Sequence, residues 1–398
     1  MFEDLIDIRT GVKSRALFSS DEMFRRLNAA RDLLAQCGLD ALLLSAPASI
    51  TYYSSLVPAS GPLPTLLVLT PERSVTLSPV SAGGRAHRNS FGESLVYRDA
   101  DHLLTSMRRL LPRARTLGME SWQLPTALHQ RLVAELPQLK SIGTVEEPLL
   151  RLRAIRSREE IDLLRRIAAL GRIGYDACRQ ALQPDITEYA LAATIRRAML
   201  DEAARHYPHL EFSASDALLQ AGISTDGSTN PPGAGWIQPG QILNLCCRPT
   251  LAGYRVESAR TLFLHYCEDE QQRLWDINCA AHQQALNAIA PGQTVQALND
   301  RLYRFYQRFG LHPYLTGRFL SLPGESALGC ETALRALPLQ PGMCLQLTTE
   351  LLLPQDKPGG GGYRETSQLL ITADGCELLS DLPLGIASNR IPSRPGST

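Results

Sequence analysis

The sequence predicts two domains, an α/β domain with a mostly buried sheet followed by an α+β domain built from two similar halves. Three observations lead to this prediction. The chain has 398 residues, more than one hydrophobic core usually serves. Apolar strands alternate with amphipathic helices up to about residue 150. Beyond Ser157, the sequence repeats itself.

The first domain is predicted at residues 1–152. Ser20 suits the N-cap of a helix that runs to Gln36, and Cys37-Gly38 ends that helix. Strands and helices then alternate, as is typical of a compact α/β domain. The predicted strands are 41–45, 65–70, 74–78 and 116–120, and the predicted helices are 102–111 and 126–136.

The second domain is predicted at residues 153–387. Ser157 and Glu160 form a capping-box pattern that opens a helix to about Leu182. Two copies of a helix, helix, strand-pair unit would pack as pseudo-symmetric halves with a cleft between them. Three repeats carry this prediction: ALQPDIT at 181 returns as AIAPGQT at 288, QPGQILNLCC at 238 as QPGMCLQLTT at 340, and GYRVES at 253 as GYRETS at 362.

Two further segments are predicted outside these repeats. The glycines at 359–362 favour a tight hairpin. Residues 388–398, rich in Ser, Pro and Arg, are predicted to be a disordered tail.

Composition excludes several classes of function. Forty Lys plus Arg balance forty Asp plus Glu, so nothing favours binding to nucleic acid or to an anionic membrane. The nine cysteines form no C-x-x-C pair, which is typical of reduced thiols in a cytosolic protein. No apolar run approaches the ~18 residues of a membrane span. We expect a soluble, cytoplasmic protein.

Several motifs carry a resemblance to a known family: AGISTDGSTN at 221–230, AGY at 252–254, RTLFL at 260–264, GGYRE at 361–365 and ITYYS at 50–54. The chain resembles the creatinase branch of the pita-bread family, which includes methionine aminopeptidase, aminopeptidase P and prolidase. The resemblance implies a creatinase-type N-terminal α/β domain, a pseudo-two-fold pita-bread domain and a homodimer. It also implies a small-molecule substrate.

The family's catalytic positions are altered in this chain. The resemblance puts the five metal ligands of the peptidases at Asn244, Glu257, Arg318, Thr348 and Thr366. Because one carboxylate in five cannot hold two divalent cations, we predict no metal and no cofactor. The histidine base of creatinase corresponds to Thr229, which has no useful basicity near neutrality. One of its glutamates becomes Ala259, and its carboxylate-binding arginine falls near Leu63, so creatine hydrolysis is not expected.

The replacements define a different candidate site. Glu257, Arg318 and Thr229 are the candidate catalytic residues, with Glu257 as the proton-transfer group. Candidate substrate-binding residues are Arg255, Thr348, Thr366 and Asn244. Two guanidinium groups suit a carboxylate, so the expected substrate is anionic or zwitterionic.

Three hypotheses remain open. The first is a metal-independent enzyme that cleaves, or eliminates at, a C–N bond of a small amino-acid-like substrate in specialised metabolism. The second is a catalytically silent protein that binds a small metabolite or a partner protein, with Glu257 simply ion-paired to Arg318. The third is an ordinary metallopeptidase or creatinase, which the ligand count disfavours. A shielded Glu257 beside a cavity would favour catalysis.

Weaker signals have simpler interpretations. His206 and His209 have metal-pair spacing but also suit an exposed turn. Alternation sends one of Cys246 and Cys247 into the cleft, as a conceivable nucleophile or as a buried thiol. His282 is expected to serve packing or to face solvent.

Overall fold

The computed structural model describes residues 6–13, 17–120, 122–212, 216–317, 319–322 and 335–392. The chain divides into two compact units, with the boundary between Ala154 and Ile155. None of the helices in these ranges combines the length and apolarity that crossing a bilayer requires.

A six-stranded mixed sheet forms the first unit, in the order β4-β3-β2-β1-β5-β6. The pairs β1–β2 and β2–β3 are antiparallel, and the outer pairs are parallel. The strands are β1 (Ala41–Leu44), β2 (Leu66–Leu69), β3 (Ser74–Pro79), β4 (Glu93–Tyr97), β5 (Thr116–Met119) and β6 (Ser141–Thr144). The helices are α1 (Ser20–Cys37), α2 (Pro47–Ser54), α3 (Gly84–Asn89), α4 (Ala100–Leu110), α5 (Thr126–Glu135) and α6 (Glu146–Ala154).

The predicted elements of this unit are confirmed within two residues at each end, with one correction at the first helix. The cap of α1 is Ser19, whose hydroxyl accepts from the Glu22 amide at 3.2 Å, and not Ser20. The helix ends at Gly38, whose φ of 62° suits glycine. Helix α2 was not predicted because it is buried almost all round and has no apolar stripe to detect.

An eight-stranded sheet dominates the second unit, with the path β12-β13-β14-β11-β8-β7 and with β15 and β16 joined to β14 and β11. Its main strands are β7 (Asp216–Ala221), β8 (Ile242–Arg248), β11 (Ser258–Leu264), β12 (Leu320–Ser321), β13 (Cys344–Leu353) and β14 (Gly361–Ile371). Its two remaining strands are β15 (Cys376–Leu378) and β16 (Arg390–Ile391), whereas β9 (Thr250–Leu251) and β10 (Tyr254–Arg255) form a separate two-stranded sheet. The helices are α7 (Arg158–Ala181), α8 (Glu188–His206), α9 (Asp269–Ala288), α10 (Val295–Gln307) and a last turn, α11 (Ile386–Asn389).

The predicted duplication and capping box are confirmed. Ser157 and Glu160 cap α7 reciprocally. Each half contributes two helices and an antiparallel strand pair, β8–β11 in one and β13–β14 in the other. The same clasp recurs in both halves: Thr187 caps α8 and bridges Trp236, while Thr294 caps α10 and bridges Pro338.

The predicted disordered tail is wrong for its first residues. Strand β16 pairs with β11, and the buried side chain of Asn389 accepts a 2.7 Å hydrogen bond from the Tyr175 hydroxyl. These contacts order a polar segment that composition alone predicts to be disordered. Residues 393–398 lie outside the described ranges.

The eight-stranded sheet has two chemically different faces. Leu243, Leu245 and Cys247 of β8 pack into an apolar core with Tyr175 of α7 and with α8. Alternation therefore turns the even-numbered residues of β8 to the opposite face, called here the site face. The cross-strand pairs on the site face are Asn244–Thr261, Cys246–Ala259, Ala259–Thr366, Thr348–Thr366 and Glu350–Arg364.

Candidate functional site

Glu257 lies at the centre of a buried ionic cluster on the site face. Its Oε2 accepts from Arg248 Nε at 2.9 Å, and its Oε1 accepts from Arg364 Nη2 at 2.8 Å. The predicted partner, Arg318, lies outside the described residues. Both oxygens of the Glu257 carboxylate are thus engaged by guanidinium groups, which fixes it firmly in place.

Glu350 is the second acid of the cluster, and its two oxygens differ. Oε2 accepts from Ser228 Oγ at 2.8 Å and from Thr316 Oγ1 at 2.6 Å. Oε1 is buried and has no hydrogen-bond partner, although Arg364 Nη1 lies 3.8 Å away. A buried carboxylate oxygen without a hydrogen bond is costly, so it marks a place where a ligand group could bind.

The loop that carries Ser228 is fastened by two buried side chains. Gln220 of β7 donates to the carbonyl oxygens of Gly227 at 2.7 Å and Asn230 at 3.0 Å. Glu188 accepts from the amides of Ala221 at 2.6 Å and Gly233 at 2.5 Å, and also from Ser224 Oγ. The loop therefore holds Ser228 against Glu350, while Arg364 Nη1 donates to the Ser228 carbonyl oxygen at 2.8 Å.

Three predicted substrate-binding residues lie on the same face. The hydroxyls of Thr348 and Thr366 are 3.1 Å apart, and Arg364 Nε lies 3.4 Å from Thr366 Oγ1. Asn244 donates to the Gly362 carbonyl oxygen at 3.1 Å and accepts from Thr261 Oγ1 at 3.3 Å. The amide of Asn244 thus ties neighbouring strands together.

Arg255 and Thr229 lie away from the ionic cluster. The Arg255 side chain is exposed and donates to Thr250 Oγ1 at 3.2 Å across the β9–β10 hairpin. The strand ends after Arg255, so the two-residue alternation that would align Arg255 with Glu257 is broken there. Thr229 is also exposed, and its neighbour Ser228 makes the contact with Glu350.

Sequence reasoning missed Arg248, Glu350 and Arg364. A signal was present, because Glu350 lies two residues after Thr348 and Arg364 lies two residues before Thr366. Residues two apart on a strand share a face. Alternation from the aligned family positions would therefore have found both.

The weaker candidates have structural roles or lie at the surface. Burial raises the pKa of the Cys246 thiol to about 12, so it stays protonated and is a poor nucleophile. His206 is exposed and lies 3.2 Å from Glu202, and His209 is exposed as well. His282 is fully buried between Thr349 Oγ1 at 3.1 Å and Ser367 Oγ at 3.0 Å, as expected for packing.

The helix-packed face of the same sheet holds another buried acid. Glu365 Oε1 accepts from Trp275 Nε1 at 2.9 Å and from the Thr261 amide at 3.3 Å. Arg260 Nε lies 3.6 Å from Oε2. Burial nevertheless raises the pKa of Glu365 to about 7, because removal from water outweighs the guanidinium and the hydrogen bonds.

The described residues do not fit the metal pair of the pita-bread peptidases. At the aligned positions stand the Asn244 amide, the Thr348 and Thr366 hydroxyls and a single carboxylate, Glu257, that two arginines already hold. Across the described ranges, no three His, Cys, Asp or Glu side chains gather as metal ligands. Guanidinium charges next to the one carboxylate oppose a divalent cation.

Comparisons with known proteins agree with this architecture. Residues 162–373 match the model of metallopeptidase family M24, and residues 26–155 match that of the creatinase/prolidase N-terminal domain. The creatinase of Bacillus sp. (strain B-0618) is 32% identical over 401 residues, covering 96% of each chain.

Solved structures share the fold at lower identity. The prolidase of Pyrococcus horikoshii OT3 superposes with a TM-score of 0.77 at 17% identity, covering 90% of this chain and 99% of that one. Aminopeptidase P of E. coli gives a TM-score of 0.73 at 16% identity, covering 93% and 96%. The chain is therefore a creatinase-like member of metallopeptidase family M24.

Proposed function

We propose that the chain is a metal-independent enzyme that cleaves a C–N bond in a small, carboxylated, amino-acid-like substrate of specialised metabolism. The observation that carries this proposal is Glu350 Oε1, a buried carboxylate oxygen without a hydrogen-bond partner. It lies beside the Arg364–Glu257 salt bridge. Two relatives support, by their names, a small substrate and hydrolysis of a C–N bond: the creatinase described above and an Xaa-Pro dipeptidase of Lactobacillus helveticus, which is 23% identical over 294 residues.

Differences in burial within the ionic cluster give the substrate an orientation. The exposed fraction of the side chain is 17% for Arg248, 11% for Glu257, 9% for Arg364 and 5% for Glu350. A carboxylate arriving from solvent reaches Arg248 first, and the guanidinium suits it. The scissile bond then lies deeper, towards Glu350.

The charged side chains can replace the usual roles of the metal. Glu350 Oε1 is free to take a proton from water, whose oxygen adds to the substrate carbon. The proton then passes to the departing nitrogen as the C–N bond breaks. Arg364 and the Thr348–Thr366 hydroxyl pair can stabilise negative charge on a substrate oxygen. In this proposal Glu257, the expected proton-transfer group, instead anchors the two arginines.

One observation favours the alternative of a silent binding protein. Both oxygens of Glu257 are bound to arginines, which is also how a site without chemistry would compensate its charges. In that case the cluster would bind a small metabolite or a partner protein without turning anything over. The two proposals differ in whether Glu350 is needed for turnover or only for affinity.

A homodimer in the cytoplasm completes the proposal. The resemblance to creatinase supports the dimer. The eight cysteines within the described ranges are all free thiols, which supports a reducing compartment. Light scattering on the purified protein should give twice the mass of the chain, and a mass of one chain would contradict the dimer.

The decisive experiment is an assay of amine and ammonia release from N-acyl, N-carbamoyl and N-amidino amino acids in the presence of EDTA. We expect turnover that Glu350→Gln lowers by at least ~100-fold, the scale of general acid–base catalysis. Glu270→Gln, which alters an exposed pair with Arg273, is the control and should keep full activity. Turnover that requires added Mn²⁺ would contradict metal independence, and binding without any turnover would establish the silent alternative.

A further inference from the structure

Gln368 of β14 is a fully buried amide without hydrogen-bond partners. Its exposed fraction is 0%, and neither Oε1 nor Nε2 forms a hydrogen bond. Its main chain, by contrast, is satisfied, since the amide donates to Ser380 Oγ at 3.1 Å and the carbonyl oxygen accepts from the Leu379 amide at 2.8 Å. Leaving both ends of a buried side-chain amide unpaired costs stability that an apolar residue would not cost.

Gln368 belongs to the site face. It follows Arg364 and Thr366 at two-residue spacing on one continuous strand, and Thr366 faces Thr348 and Arg364. Directly across the ladder stands Gln346, whose Nε2 lies 3.5 Å from Thr348 Oγ1. Polar pairs therefore follow one another along β13 and β14, from Glu350–Arg364 through Thr348–Thr366 to Gln346–Gln368.

Gln368 also follows directly on the residues that contact the ionic cluster. Two residues before Gln368, on the same face of β14, Thr366 contacts Arg364, and Arg364 binds Glu257. Both carboxylate oxygens of Glu257 accept hydrogen bonds from Arg248 and Arg364, and the hydroxyls of Thr348 and Thr366 form a hydrogen bond with each other. Gln368 is left out of this network although it lies beside it.

We propose that Gln368 recognises a neutral amide edge on the substrate, such as the carbamoyl group of an N-carbamoyl amino acid. This rests on the proposed function, in which the site face receives the substrate. A terminal carbamoyl group presents one N–H and one carbonyl oxygen side by side, which match Oε1 and Nε2 of Gln368. The carboxylate of the same molecule would then lie outward at Arg248.

The proposal separates this site from one that selects a guanidino group. A guanidinium offers only N–H donors, so the Nε2 hydrogens of Gln368 would still face no acceptor. An apolar group would leave both atoms unpaired. Sites that hydrogen-bond a polar group discriminate strongly against analogues that lack it.

Three small carboxylates of nearly equal shape test whether the site prefers a group with both a donor and an acceptor. N-carbamoylglycine supplies donor and acceptor, N-amidinoglycine supplies donors only, and 4-methylpentanoate supplies neither. Titration calorimetry in EDTA should rank their affinities in that order, with at least ~10-fold between the first and the last. Equal affinities, or preference for N-amidinoglycine, would overturn the proposal.

Gln368→Met removes the amide at nearly constant volume. We expect N-carbamoylglycine to bind at least ~10-fold more weakly, while 4-methylpentanoate is unaffected. The unliganded variant should melt no lower than the wild type, because no hydrogen bond is lost. Gln220→Met is the matched comparison, and it should melt several degrees lower because Gln220 holds two carbonyl oxygens.

Further outcomes separate this inference from a buried water at Gln368 and from the proposed enzyme activity. If a buried water already forms hydrogen bonds with Gln368, the Gln368→Met variant should melt at a lower temperature than the wild type. The wild-type protein should then not bind N-carbamoylglycine more tightly than the other two carboxylates. Calorimetry does not require turnover, so binding that depends on Gln368 without turnover would refute the enzyme and keep this inference. Turnover that Gln368→Met does not change would keep the proposed enzyme and refute the role of Gln368.

Discussion

Arg364 and Glu257 form a salt bridge of 2.8 Å that joins β14 to the segment just before β11, with about a tenth of each side chain exposed. Arg364 also lies 3.8 Å from Glu350. Its removal would take a guanidinium away from Glu350 and leave Glu257 with Arg248 as its remaining arginine partner among those described.

We therefore expect Arg364→Met to lower the free energy of unfolding by about 3–5 kcal/mol, the usual cost of breaking a buried ion pair. Urea unfolding at pH 7 measures it. Adding Glu257→Gln should recover part of the loss, because it removes the excess negative charge that Arg364→Met leaves among Arg248, Glu257 and Glu350. A double variant that is less stable than the sum of the two single changes would contradict this view of the cluster.

Glu365 makes stability depend on pH. Its folded pKa of about 7 lies above its usual value of 4.5, so the folded state binds the extra proton between these values. The stabilisation is fully present below pH 4.5 and is lost as the pH rises through 7. At ~1.4 kcal/mol per pKa unit, the total is about 3 kcal/mol. Glu365→Gln, compared with the wild type by urea unfolding from pH 5 to 8.5, should become relatively more stable as the pH rises.

His282 acts in the opposite direction. Burial, assisted by the charge of Arg260, lowers its pKa well below 6.5, so the unfolded chain binds the proton. Stability contributed by neutral His282 is present above pH 6.5 and is lost as the pH falls. Glu365→Gln should expose this trend as a steady loss of stability on acidification below pH 6.5. A flat profile there would contradict a neutral, buried His282.

Cys246 should resist alkylation. Its pKa of about 12 leaves almost no thiolate at pH 8, and the residue is 3% exposed. Peptide mapping after treatment with iodoacetamide should find exposed Cys37 modified and Cys246 intact. Urea-unfolded protein, modified at both, is the control. Rapid labelling of native Cys246 would revive the nucleophile hypothesis.

Glu188 should control the loop that carries Ser228. Glu188→Gln turns one acceptor into an N–H donor that faces the amide of Ala221 or Gly233. We expect a loss of about 2 kcal/mol in unfolding free energy and faster proteolysis between residues 222 and 233. Glu377→Gln, which removes an exposed pair with Arg165, should change neither. Unchanged proteolysis in Glu188→Gln would show that the loop is held by other contacts.

Local signals predicted most of the fold. Ser157 and Glu160 identify a helix start from two residues alone, and the repeats reveal the duplicated halves because both copies keep the same turns. Helix α2 and the ordered residues 388–391 could not be predicted, since their stability comes from burial by distant segments and not from their own pattern.

The candidate site was predicted only in part. Alignment positions found Glu257, Thr348 and Thr366, which the structure brings onto one face. The partners of Glu257 depend on cross-strand register and on how far an arginine side chain reaches, which spacing along the chain does not encode. Arg255 was predicted to bind substrate in the same site, but β10 ends at this residue and its side chain is exposed.

The Arg364–Glu257 bridge also bears on whether the site depends on a supply of metal ions. A guanidinium is part of the polypeptide and remains charged at any pH a cell experiences. Unlike a bound metal ion, it cannot be removed by a chelator or exchanged for another ion. Every newly folded copy therefore carries this positive charge from the start. If the proposed metal-independent reaction holds, the activity of this chain does not vary with the supply of metal ions around it.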